Sequence, residues 1–201
     1  SGRRVTLYKG VREWFARINA YGAARGIRIL HYINSSGLKE IIEGTEIAHE
    51  FRRIYACSFL YDIDGVAYWP AVAVNYTNKT QFIFKINKGV ESVFDSKLVN
   101  QYIEEDKRPV PFRRMIYVGD GTTDIPCMRL VKNSGGHSIA VYNPEIRNAR
   151  RELNGLIRDN RVSHVCPADY SEGSEMDTLV KTIIDKIEAD HRLELLETPR
   201  T

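Results

Sequence analysis

Met115-Ile116-Tyr117-Val118-Gly119-Asp120-Gly121-Thr122-Thr123-Asp124 decides how the rest of the chain is read. An apolar run leads straight into Gly-Asp-Gly, and a second carboxylate follows four residues after the first. Four consecutive residues of this kind predict a buried parallel strand, with both carboxylates in the loop at its carboxyl end. Open α/β sheets bind ligands at that edge. Gly119 and Gly121 permit dihedrals and close approaches that a side chain forbids. Asp120 and Asp124 are hard oxygen ligands of the type that suits magnesium, whose remaining octahedral positions go to water and substrate phosphate. Taken alone, Gly-Asp-Gly reads more simply as a turn after a strand.

The residues that follow add context. Ile125 to Val131 read as a short helix with Pro126 in its first turn, where a missing N–H costs nothing. Gly135-Gly136 closes that helix, and His137-Ser138-Ile139-Ala140-Val141-Tyr142 reads as the next strand. This succession of strand, acidic loop, helix, glycine stop and strand resembles the fourth motif of the haloacid dehalogenase-like (HAD) hydrolase superfamily. The resemblance extends more weakly over nearly the whole chain.

The 201 residues suit one α/β domain spanning 1–201, large enough for a core. Basic and acidic residues nearly cancel, 29 against 26, for a net charge of +3, which argues against a nucleic-acid partner. The pairs Arg3-Arg4, Arg52-Arg53, Arg113-Arg114 and Arg150-Arg151 are scattered rather than gathered into a stripe. No apolar run approaches membrane-spanning length and no signal peptide is visible, so no membrane partner is expected. Three cysteines, Cys57, Cys127 and Cys166, lack metal-ligand spacing and read as reduced thiols of a cytoplasmic protein.

Along the chain, Val11, Trp14, Phe15, Ile18 and Tyr21 share a helical face. Residues 27–33 read as a strand, Asn34-Ser35-Ser36-Gly37 as the loop at its end, and residues 38–51 as a helix. Strands follow at 54–60 and at 66–75, the latter broken by Pro70. Residues 77–88 form an amphipathic helix stopped by Gly89. Residues 98–108 are polar and helical in part. Beyond Tyr142 come a helix opened by Pro144 and running to about 158, a strand at 162–166, and a last helix at 178–191. The fold expected is a three-layer, Rossmann-like core with a mostly parallel sheet, helices on both faces and a β-hairpin after the third strand.

Phosphoryl transfer to an aspartate needs a nucleophilic carboxylate, a metal, donors for the phosphoryl oxygens and a cation. Ser35 stands where the superfamily's second motif places its Ser or Thr. Its hydroxyl, with the amides of Ser36 and Gly37 at a helix start, suits an anion; the simpler reading is a cap for the next helix. Lys79 resembles the third-motif cation. Cations avoid helix N-termini, so a Lys in the first turn predicts a compensating anion nearby. Lys88, in the last turn of the same helix, is the alternative.

Phe59-Leu60-Tyr61-Asp62-Ile63-Asp64-Gly65-Val66 imitates the superfamily's first motif. Parallel strands, however, need a crossover of about a dozen residues, which 65–70 cannot supply. An Asp-Gly pair between apolar runs is instead a hairpin signal. The order is also wrong, since the first motif precedes the second. The resemblance therefore implies that the nucleophile motif, its central strand and any cap lie upstream of Ser1, in an amino-terminal segment of the same protein. It implies a phosphoserine-phosphatase-like, magnesium-dependent phosphomonoester hydrolase acting on a small phosphorylated substrate through an aspartyl-phosphate. In that reading Asp120 and Asp124 hold Mg2+, while Asp124, Ser35 and Lys79 act in catalysis. Ser35, Ser36, Gly37 and Lys79 bind phosphate. This chain alone is then expected to be inactive. The alternative is a non-catalytic phosphate- or metal-binding module on the same fold.

Overall fold

The computed structural model describes residues 5–93, 95 and 97–197; the Arg3-Arg4 pair lies outside them. Its elements alternate in the βα manner. Helix α1 (Val11–Ala23) is followed by β1 (His31–Leu38), a short α2 (Lys39–Glu43), and the pair β2 (Phe51–Tyr61) and β3 (Ala67–Val72). Then come α3 (Lys79–Lys88), α4 (Lys97–Asn100), β4 (Ile116–Gly119), α5 (Ile125–Asn133), β5 (His137–Tyr142), α6 (Ala149–Arg158), β6 (His164–Pro167) and α7 (Glu175–Leu196).

The strands form two three-stranded ladders, β1-β2-β3 and β4-β5-β6. β1 and β2 are parallel, as are β4, β5 and β6, and only β3 runs antiparallel to its neighbour. The protein is thus α/β with a mostly parallel sheet. Both ladders contribute to the same two apolar layers. One layer joins Tyr55 of β2 and Tyr117 of β4 to Phe82, Ile83, Met128 and Val131 of α3 and α5. The other joins Phe51 of β2 and Ile139 of β5 to Trp14, Phe15, Ile18, Val180 and Ile184 of α1 and α7. Strand side chains alternate between faces, which is why Ala140 enters the first layer while Ile139 and Val141 enter the second. Helices pack against both faces of the strands, α3 and α5 in the first layer and α1 and α7 in the second. Among the described residues, neither β1 nor β4 has a ladder partner on its outer side, and the two do not pair with each other.

Several boundaries differ from the sequence expectation. The first strand begins at His31 rather than Ile27 and runs on through Asn34-Ser35-Ser36-Gly37, which are extended and not a loop. The helix expected over 38–51 shrinks to α2 and a 3-10 turn at Ala48–Glu50. Gly44 ends α2, and the Thr45 hydroxyl donates to the Ile42 carbonyl at 2.7 Å. Phe51 then joins the β-ladder opposite His31 and packs edge-on against Phe15, so pairing and burial outweigh the apolar helical pattern. Pro144 does not open α6, which starts after Asn148 in a left-handed conformation. α7 begins earlier than expected because the Ser174 side chain accepts from the Asp177 amide.

The hairpin sits where the Asp-Gly pair places it. The Asp62 amide donates to Val66 O at 3.0 Å, and the Asp62 carboxylate accepts from the amides of Asp64 (3.0 Å) and Val66 (2.8 Å). Gly65 takes the left-handed conformation, φ 76°. Asp62 is thus occupied in holding a turn. Pro70 is accommodated because β3 is an edge strand.

Candidate functional site

The site is built where the carboxyl ends of β1 and β4 meet the first turns of α3 and α5. At its centre, Lys79 Nζ donates to Asp124 Oδ1 at 2.7 Å, with the two side chains 5% and 10% exposed. Tyr117, on β4, donates its phenol to the same oxygen at 2.6 Å. Burial, then the nearby Cys127 thiol and the Asp124 carboxylate, raise the Tyr117 pKa, so the phenol stays a donor. Cys127 lines the same spot, and burial pushes its thiol up to about 11; it is an uncharged wall rather than a nucleophile.

Asn34 ties β1 into this cluster. Its amide nitrogen donates to the Lys79 carbonyl at 3.0 Å and approaches Cys127 Sγ at 3.9 Å. Its buried Oδ1 has no hydrogen-bond partner. An unpaired buried acceptor is costly, which makes this carbonyl oxygen the unsatisfied polar atom of the cluster.

Local geometry explains why these groups converge. A Cβ on Gly119 would lie 2.7 Å from Asp124 Cβ and 2.7 Å from Met128 Cε. Only glycine lets the chain turn back sharply enough to put Asp124 against Tyr117. Gly89, at φ 68°, ends α3 and lets it pack over the strands with Lys79 at its buried end. The anion that compensates a lysine at this helix start is Asp124.

The residues singled out from sequence fall into two groups. Lys79, Asp124 and the loop carrying Asp120 come together. Lys88 does not join them; its ammonium donates to the carbonyls of Val99 and Gln101 at 2.7 and 2.6 Å. Asp120 is exposed at the end of β4, and its charge reaches Tyr170, whose pKa rises chiefly through burial. Ser35, Ser36 and Gly37 do not make the expected cradle at a helix start. Ser35 Oγ accepts from the Gly37 amide at 3.0 Å, so that amide is committed within the chain. α2 begins only at Lys39 and has no side-chain cap from Ser35. The register of β1 against β2 slips between Asn34 and Leu38, which pulls these residues into the strand. Sequence reading missed Tyr117, Asn34 and Cys127. Tyr117 read as one more apolar strand residue, although its spacing of two from Gly119 puts both on one face.

Among the described residues no group of three or more His, Cys, Asp or Glu side chains is arranged to hold a metal ion. Magnesium needs only one or two carboxylates when water and phosphate complete its shell. Exposed Asp120 and the second oxygen of Asp124 fit that requirement, because Lys79 and Tyr117 both use Oδ1.

No family model matches the chain. It is similar to an uncharacterized protein of Borreliella burgdorferi, 28% identical over 210 residues that cover 92% of this chain and 68% of that protein. No helix among the described residues is long and apolar enough to cross a membrane.

Proposed function

We propose that the protein is a HAD-like, magnesium-dependent phosphomonoester hydrolase with a Rossmann-like core, whose nucleophilic aspartate is supplied from outside residues 1–201. The observation that carries this reading is the buried Lys79–Asp124 pair at 2.7 Å. It joins two positions, 45 residues apart, that resemble the superfamily's third and fourth motifs separately. The unpaired outer sides of β1 and β4 support it further, since a strand between them would complete one continuous sheet and bring its own carboxyl end beside Lys79.

In this reading Lys79 neutralises charge around the nucleophile and the transferred phosphoryl group. Tyr117 and Lys79 fix one oxygen of Asp124, which leaves the other oxygen and Asp120 to hold Mg2+. The ion, when bound, offsets negative charge on the phosphoryl oxygens. Ser35, the second-motif candidate, would contribute from β1, where Ser36 and Gly37 beside it are exposed. The test is release of phosphate from p-nitrophenyl phosphate by the protein carrying its upstream segment. Magnesium-dependent hydrolysis that Lys79→Met abolishes supports the enzyme. Binding of phosphate without turnover favours the non-catalytic module.

A further inference from the structure

Arg3, Arg4 and Arg200 lie outside the described residues, which leaves 26 lysines and arginines against 26 carboxylates. That balance is not even. Residues 125–162, from α5 through β5 and α6, hold seven of the cations and three of the carboxylates. Six of the seven are arginines, whereas the rest of the described chain has ten arginines and nine lysines. α5 packs on β4 and β5, and α6 on β5 and β6, so the two helices lie side by side. Lys132 of α5 ties them together, donating to Asn160 Oδ1 at 2.6 Å and to the Val162 carbonyl at 2.9 Å. Leu153 and Leu156 turn α6 inward. Arg150, Arg151 and Arg158 are left on its exposed side, with Arg151 and Arg158 two turns apart on one stripe. Arg129 is exposed on α5, and Arg147 and Arg161 are exposed at the two ends of α6. Arg158 meets Asp159 at 3.5 Å while its side chain stays 83% exposed. The other five arginines make no ion pair among the described residues. Elsewhere Arg12, Arg17, Arg25, Arg113 and Arg114 are each matched to a carboxylate. Exposed Ile146 and Ile157 adjoin the unmatched guanidinium groups. In the sequence only the pair Arg150-Arg151 is visible, and the fold gathers the others around it.

We propose that this outer face of α5 and α6 docks an acidic segment of a partner protein. The partner's carboxylates take the guanidinium groups, and its aliphatic side chains cover Ile146 and Ile157. Charge complementarity supplies the attraction, and composition selects the class of partner. Protein interfaces are rich in arginine and poor in lysine relative to the remaining surface, and the planar guanidinium takes a carboxylate through two parallel hydrogen bonds. A charged lipid surface draws lysine and arginine alike, yet the one lysine here is tied down between the helices. A nucleic acid offers no apolar cover for the isoleucines, and no Phe, Trp or Tyr of residues 125–162 is exposed for a base to stack on. Arg151 and Arg158 stand about 10 Å apart along the axis of α6. Glutamates two turns apart on a partner helix reproduce that spacing. This inference is independent of the proposed activity.

The test is fluorescence anisotropy of a labelled synthetic helix, with glutamates two turns apart and leucines beside them, titrated with the full chain at low salt. The expected result is saturable binding that weakens about tenfold or more in Arg151→Glu/Arg158→Glu. Arg151→Lys/Arg158→Lys, which keeps the charge but not the paired hydrogen bonds, should recover only part of it. All these side chains are exposed, so circular dichroism should be unchanged. No binding, or equal binding by the wild-type and charge-reversed chains, overturns the proposal. Preference for a DNA duplex or for phosphatidylglycerol vesicles over the peptide overturns it as well. If the charge-reversed variant does not fold, the wild-type chain decides: a peptide with glutamine in place of glutamate must lose its binding, and retained binding overturns the proposal.

Discussion

Lys79 at the start of α3 and Asp124 at the start of α5 form a buried ion pair, and the two helices that carry them are packed together through it. Breaking such a pair leaves one charge buried without its partner. Lys79→Met and Asp124→Asn should each cost about 3–5 kcal/mol in urea unfolding. The double variant should cost clearly less than the sum, because no lone charge remains. Additive losses would show that the two side chains do not depend on each other.

Tyr117→Phe removes the second donor on Asp124 Oδ1 while keeping the ring in the apolar layer. A loss of about 1.5–3 kcal/mol is expected, the range for a hydrogen bond to a charged group. For the proposed phosphatase activity, the same change should lower kcat more than it raises KM, because it loosens the carboxylate rather than a substrate contact.

Gly119 and Gly121 flank Asp120 but differ in what surrounds them. Gly119→Ala drives a Cβ to 2.7 Å from Asp124 Cβ, whereas at Gly121 the nearest atoms stand 3.8 Å away and the backbone is extended. Gly119→Ala should destabilise by about 1–3 kcal/mol, as overpacking does, and Gly121→Ala should be tolerated. The reverse order, measured by thermal melting, would place the tight turn on the wrong side of Asp120.

Three histidines should make stability fall on mild acidification. Burial lowers the pKa of His31, His137 and His164 below the ordinary 6.5, with Lys186 adding to the effect at His137 and Lys132 at His164. The unfolded chain therefore binds more protons than the folded one below pH about 6.5. Stability from these groups is complete above that value and is lost as pH falls toward their folded pKa values. Carboxylates held low, such as Asp177 and Glu194, add their loss only at more acid pH. In both, burial pulls upward but is outweighed, by Lys181 and the Gly173 amide in one case and by Arg113 in the other. A urea midpoint that stays flat between about pH 7 and 5 would contradict this.

For the proposed magnesium site, Asp120→Asn should weaken magnesium binding far more than Asp62→Asn. Asp120 is exposed at a strand end, whereas the Asp62 carboxylate is occupied by two turn amides. Equal effects would mean that the wrong acidic loop has been assigned.

The sequence by itself determined the α/β alternation and, to the residue, the strand His137–Tyr142. It determined the acidic loop after a parallel strand and the turn at Asp62–Gly65, although that strand is half-buried rather than buried, with Val118 exposed. These rest on local physics: apolar runs, glycine stops, and a loop too short for a crossover. A lysine at a helix start also implied an anion close by. Only the tertiary structure decided which anion, because contact between Lys79 and Asp124 depends on how α3 and α5 pack. It also decided that Asn34–Gly37 extend β1, since pairing with β2 outweighs the turn-forming preference of Asn-Ser-Ser-Gly. Tyr117 became a hydrogen-bond donor only when Gly119 let Asp124 fold back beside it. The carboxylate and the phenol are seven residues apart in a sequence that gives no sign of their meeting. Periodicity fixes which face a side chain takes, and packing across the sheet fixes what it meets there.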